Sequence, residues 1–135
     1  IINHILNRKI EYCNNNGLSI KCMVCGELKG VSDYDIHIIL ENLLDNAIEA
    51  ALKAVNKRIS VDIYSDEQAM VIKISNTTEE NVLKNNPEMN TTKKDNSYHG
   101  YGIRNVSELV KKNNGTIEYI QLGVDIVQCR VLLML

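Results

Sequence analysis

The residues best equipped for chemistry lie in Glu41-Asn42-Leu43-Leu44-Asp45-Asn46-Ala47-Ile48-Glu49-Ala50, where Asn42, Asp45, Asn46 and Glu49 recur at spacings of three and four. On a helix those spacings share a face. Leu40, Leu43, Leu44, Ala47, Ile48 and Ala51 make the apolar remainder. Carboxamide and carboxylate oxygens are hard ligands that suit Mg²⁺, and Mg²⁺ is usually shared with substrate phosphates. The same spacing also describes solvated residues on an ordinary amphipathic helix, and one helix face does not separate the two readings.

A second segment adds to the first. Tyr98-His99-Gly100-Tyr101-Gly102-Ile103-Arg104-Asn105-Val106 is a glycine pair running into a helical pattern, with Val106, Leu109 and Val110 at helical spacing and Asn113-Asn114-Gly115 as the stop. Glycines at a helix entrance let backbone N–H groups approach an anion at the positive end of the helix dipole. A plain turn would use Gly100 and Gly102 equally well.

In this order and about fifty residues apart, the two segments resemble a known family. Glu41 to Ala47 is similar to the N box of the GHKL, or Bergerat-fold, ATP-binding domains, and His99 to Ile103 to their second glycine box. The nearest resemblance is to the catalytic domain of sensor histidine kinases of the peptide-pheromone quorum-sensing class, and it runs from about Asn16 to Leu135. It implies ATP and Mg²⁺ as cofactors, with Asn46 as the metal ligand and Asn42 positioning the phosphates, the metal or its water. In gyrase-type relatives the earlier position is a glutamate acting as general base. Asn42 cannot do that, which favours transfer to a protein over hydrolysis. Glu41 points about 100° away on an ideal helix and is at most a contributor.

The wider family carries Asp-x-Gly-x-Gly after a strand, and its aspartate accepts from the adenine amino group. Here Ile74-Ser75-Asn76-Thr77-Thr78 holds no glycine, and Asn76 stands where that acid would be, with a carboxamide oxygen able to accept. The pheromone-receptor kinases resemble this chain in using Asn. A neutral acceptor is weaker than a charged one by about 1 kcal/mol. The resemblance also implies phosphate contacts from Lys93, ahead of Lys94, and nucleotide contacts from His99, Gly100, Tyr101, Gly102 and Ile103.

These residues need elements to position them. Ile5, Leu6 and Ile10 with intervening charges predict a helix that Asn14-Asn15-Asn16-Gly17 stops. Ile20, Cys22 and Val24 alternate as a strand, Ser32-Asp33 offers an N-cap, and Tyr34 to about Val55 is helical throughout. Ile59, Val61 and Ile63, then a turn at 65–68 and alternation from Ala69 to Ser75, read as a hairpin. The polar stretch 77–99, with the single Pro87, reads as a lid loop. Thr116–Ile120 and Ile126–Met134 predict a second hairpin turning at Leu122-Gly123. The fold class is α/β: a two-layer sandwich of a mixed sheet of about five strands with about three helices on one face. Residues 1–15 read as the end of a linker or dimerisation helix, and 16–135 as the ATP-binding domain.

Composition bounds the rest. With 135 residues the chain can bury one core, filled by aliphatic side chains because there is no Phe or Trp. A net charge of −2 without a basic block argues against nucleic acid, and no apolar run approaches the ~20 residues of a membrane span. Of the four cysteines, Cys22 and Cys25 have a ligand-like spacing but lack a second pair, so packing and free thiols are expected. His4 and His37 lack the context of a phosphoacceptor. The chain opens on Ile1, and we expect a longer parent, an integral-membrane receptor of which this is a cytoplasmic domain. The expected function is transfer of the ATP γ-phosphoryl group to a histidine on a dimerisation domain, with a response regulator downstream and little activity without the acceptor. Two other functions remain: a stand-alone serine kinase of the anti-sigma-factor type, and a nucleotide-free relay module.

Overall fold

In the computed structural model, which describes residues 2–27, 29–79 and 97–135 without the side chains of 97–104, local chemistry starts and stops each helix. Helix α1 (Ile2–Asn15) ends because Gly17 takes a left-handed φ of 73°, letting the Leu18 N–H donate to the Cys13 carbonyl at 2.9 Å. After strand β1 (Ser19–Cys25), helix α2 (Asp33–Leu52) begins at Ser32, whose hydroxyl accepts from the Asp35 N–H at 3.1 Å. Helix α3 (Ser97–Lys112) closes through Asn114 at φ 54°, with the Gly115 N–H on the Val110 carbonyl at 2.9 Å. Gly115 tolerates no side chain, since a Cβ there would sit 2.1 Å from the Leu132 carbonyl oxygen.

Strands β2 (Arg58–Ser65), β3 (Ala69–Thr77), β4 (Thr116–Gly123) and β5 (Ile126–Met134) complete a five-stranded sheet in the order β1-β2-β3-β5-β4. Only the β1–β2 pair is parallel. Asp66 shapes the β2–β3 turn, its carboxylate accepting from the N–H groups of Gln68 and Ala69 at 2.8 and 2.9 Å.

Alternation sends Ile59, Val61, Ile63, Met70, Ile72, Ile74, Val131 and Leu133 to the helix side. There they meet Ile36, Ile39, Leu40, Leu43, Leu44 and Ala47 of α2, with Ile5 and Leu6 of α1 and Val106 and Val110 of α3 in the same core. Helix α2 lies between the other two and over β3 and β2. The expected mixed sheet with one helical layer is therefore what the chain forms.

Two expectations shift. Helix α2 stops at Leu52 instead of about Val55, because the N–H groups of Lys53 and Ala54 turn back to the carbonyls of Ala50 and Ala51. Val55 is left 97% exposed, with no apolar face to continue. The second hairpin turns at Val124-Asp125, and Leu122-Gly123 still belongs to β4. The glycine that signalled a turn instead serves a register irregularity between Gln121 and Gly123.

One polar contact ties the helical layer together. Asp35, only 2% exposed, takes Lys112 Nζ at 3.1 Å and Asn113 Nδ2 at 3.2 Å, joining the start of α2 to the end of α3. Burial by itself would push its carboxyl up, but the hydrogen bonds from Asn113, Lys112 and Ser32 and the Lys112 charge hold it below the usual carboxylate range.

Two outcomes follow from this packing. Leu40→Ala, at a fully buried α2 position, should cost about 2–5 kcal/mol in urea unfolding. Because the folded Asp35 carboxyl titrates below its unfolded value of about 3.9, its contribution is complete above that value and is lost as pH falls from there through the lower folded value. Asp35→Asn should cost about 1–3 kcal/mol near neutral pH and flatten the loss of stability between about pH 5 and 3. An unaltered pH slope in that variant would show that Asp35 does not carry the effect.

Candidate functional site

The polar stripe of α2 is divided by what packs beside it. Glu41 and Asp45 turn towards α1: Arg8 donates to Glu41, and Lys9 Nζ lies 2.8 Å from Glu41 and 2.6 Å from Asp45. Burial works against the charges in this cluster. The Asp45 and Glu41 partners nevertheless raise the Lys9 pKa, and Lys9 and Arg8 hold the Glu41 carboxyl below its ordinary range. Asp45 therefore leaves the stripe on which its spacing placed it, and the acid Glu41 is engaged elsewhere. Glu49, one turn on from Asp45, lies 3.8 Å from Lys53.

The carboxamides are placed differently. Asn42 and Asn46 are half-buried one helical turn apart on α2. The Asn42 Nδ2 donates to the Ile38 carbonyl at 2.9 Å, which leaves its oxygen as the atom to offer a ligand. Asn76 comes to the same side of the sheet from a different element. Its register partners on β2 and β5 are Ile59 and Val127, both buried, so its side chain belongs to the helix-facing row of β3. Its Nδ2 donates to the Thr77 carbonyl at 3.0 Å, again leaving the oxygen as acceptor.

Three carboxamides on the helix side, with two neighbouring acids neutralised by α1, suit a polyanion with a hard cation. Neutral oxygens bind Mg²⁺ without repelling phosphates, and Arg8 and Lys9 offset the carboxylates that would. On this donor set Asn46 and Asn42 fit Mg²⁺ and phosphate, and Asn76 fits an amino-group donor.

His99, Gly100, Tyr101, Gly102 and Ile103 fall in the first turns of α3, which begins at Ser97, so the glycine pair lies inside the helix and not ahead of it. Glycine lowers helix stability by about 1 kcal/mol per residue, which makes this the weakest-forming part of α3. Their side chains, together with Lys93, Lys94 and most of the expected lid, lie outside the described residues.

The cysteines fit packing. Alternation along β1 puts Cys22 and Cys25 on opposite faces, Cys22 half-buried against the core and Cys25 exposed. Burial pushes the Cys22 thiol up to about 11 and Cys129 up to about 12. Among the described residues no cluster of three or more His, Cys, Asp or Glu could hold a metal, and no helix is long and apolar enough to cross a membrane.

Sequence reasoning missed Asp35 and the pair Thr77 and Thr78. Thr77 Oγ1 accepts from the Arg58 N–H at 3.0 Å and donates to the Arg58 carbonyl at 3.3 Å. The Thr78 N–H donates to the Asp125 carbonyl at 2.8 Å. Both threonines are buried, and they pin the end of β3 just beyond Asn76. The absence of glycine from this stretch was the available signal.

The sequence model of the GHKL domain matches residues 31–132, most of the chain and both boxes. The chain belongs to the GHKL domain family. A GHKL domain is an ATP-binding fold. Among solved structures, this GHKL domain is similar to the Acinetobacter baumannii histidine kinase AdeS, at 14% identity and a TM-score of 0.65 over 98% of this chain and 64% of that one. It is similar also to full-length ShkA in complex with AMPPNP, at 14% identity and a TM-score of 0.73 over 98% of this chain and 30% of that one. The chain thus spans less than two thirds of either protein. No curated protein matches it in sequence. Family and fold together support an ATP-binding domain of the GHKL type.

Proposed function

We propose that this GHKL domain works within a peptide-pheromone sensor histidine kinase, binding Mg²⁺–ATP and presenting its γ-phosphoryl group to a histidine outside residues 1–135. The observation that carries this reading is the split stripe of α2. Glu41 and Asp45 are matched to Arg8 and Lys9 and Glu49 to Lys53, while Asn42 and Asn46 place neutral carboxamides one turn apart on the same helix.

Asn46 would hold Mg²⁺, Asn42 would position the phosphates or the metal, and Asn76 would accept from the adenine amino group. Mg²⁺ supplies charge neutralisation across the phosphates when bound. In the transfer, the bond from the γ-phosphorus to its bridging oxygen breaks, ADP leaves, and a bond to an imidazole nitrogen forms. Neither Asn42 nor Asn46 can take a proton from water, which favours transfer to a protein over efficient hydrolysis. The partners are a phosphoacceptor domain and a response regulator downstream. The parent is an integral-membrane receptor with this domain in the cytoplasm.

A nucleotide-free relay module is the second reading. It is favoured by the end of β3, where buried Thr77 and Thr78 stand in place of the first glycine box.

Calorimetric titration of ATP and ADP, with and without Mg²⁺, separates the two. Mg²⁺-dependent binding in the micromolar to millimolar range, weakened at least about tenfold by Asn46→Ala, is expected. No binding at millimolar nucleotide would favour the relay module.

A further inference from the structure

The sheet face away from the helices is ordered in transverse rows, and their charges are distributed unevenly. In one row Asp62 stands opposite Lys73 and Glu118 opposite Arg130, so each charge is matched across strands. The next two rows, towards the other end of the sheet, carry Lys21 and Arg58 and no carboxylate. Among the described residues neither cation makes an ion pair, and Asp125, beside Ile126, lies within ion-pair distance of neither. Register sets Lys21 opposite Ser60 and Arg58 opposite Ser19, which makes the two cations diagonal neighbours on one face. Like charges so placed are unfavourable unless an anion joins them.

A cleft of about 250 Å³ opens here, lined by Ser19, Lys21, Arg58, Ser60, Ser75 and Ile126 among others. Its donors are pre-set. Arg130 Nε donates to Gln128 Oε1 at 2.5 Å, and Gln128 Nε2 donates to Ser75 Oγ at 2.8 Å. Ser75 Oγ accepts this bond and keeps its hydroxyl hydrogen as a donor for a ligand. Arg58 is fixed at its backbone by the paired Thr77 contacts, which hold the root of the guanidinium at the rim.

We propose that this cleft binds a phosphomonoester. The dianion matches two cations and adjacent hydroxyl donors, while Ile126 and the stems of Lys21 and Arg58 flank the ester group. The volume falls just below the range of pockets that enclose drug-sized ligands, which selects a phosphorylated side chain or a small free ester over a nucleotide. Its cations, Lys21 and Arg58, stand on the sheet face away from the helices, and the cleft reaches Asn76 at the end of β3, whereas neither Asn42 nor Asn46 lines it.

Titration of the ¹⁵N-labelled chain with phenyl phosphate, followed by amide shifts, tests it. Saturable shifts are expected at Lys21, Ser60 and Ser75. The double substitution Lys21→Gln with Arg58→Gln should weaken binding at least about tenfold, and Ser75→Ala about threefold. Asn46→Ala should leave these shifts intact, separating the cleft from the nucleotide site. Comparing O-phosphoserine with a phosphoserine peptide then distinguishes a free ester from a protein-borne one. The absence of saturable shifts at these amides, or shifts that survive the double substitution, would overturn the proposal.

Discussion

Helix α2 has to satisfy two demands at once: its apolar stripe must be covered by β2 and β3, and its polar stripe must remain beside that core without being left uncompensated. Both flanks of the helix are occupied, by α1 and by α3, so it cannot roll to relieve either demand. Its rotational setting is fixed by two contacts of opposite location. At the start, Asp35 is held by Lys112 and Asn113 of the α3 end; about two to three turns on, Glu41 and Asp45 are held by Arg8 and Lys9 of α1. The direction in which Asn42 and Asn46 project follows from these constraints.

The two contacts differ in weight. Asp35 is almost wholly buried, and a buried carboxylate that loses its partners costs several kcal/mol, so this contact specifies how α2 and α3 meet. The α1 cluster is more open, with Arg8 and Asp45 about half exposed and Lys9 mostly covered. Exposed pairs of this kind contribute about 0–1 kcal/mol each. Their larger effect is on the local field. The carboxylates of Glu41, Asp45 and Glu49 beside Asn42 and Asn46 would repel phosphate oxygens; Arg8 and Lys9 of α1 offset the first two and Lys53 the third. Helix α1, which buries Ile5 and Leu6 in the core with one face, thus sets the charge beside Asn42 and Asn46 with another.

Features that depend on near neighbours were legible in the sequence. The Ser32 cap, the stop at Gly17, the period of two in β2 and β3 and the oxygen-bearing stripe of α2 are all set within a few residues. Glu41 was already separable from Asn42 by the helical angle alone. Asp45 was not, because its removal from the stripe depends on Lys9, which lies 36 residues away. Asp35 was hidden for the same reason, its partners being 77 and 78 residues on. Gly123 misled because glycine serves bulges as well as turns, and only pairing with β5 tells them apart.

Strand β3 joins the two faces of the sheet in a way that bears on the missing glycines. In a glycine-rich turn, freedom of the backbone lets the chain approach a base closely; here the strand simply continues through Asn76 to Thr77. The position of Asn76 is then set by its neighbours. Thr77, on the opposite face, is pinned to both backbone groups of Arg58, and the Thr78 N–H is pinned to the β4–β5 turn. A neutral acceptor forms a weaker hydrogen bond than a charged one, but an acceptor held in place loses less conformational freedom when it binds. For an Asn76 that accepts from a base as proposed, rigidity at the end of β3 would offset part of what an asparagine in place of an aspartate removes.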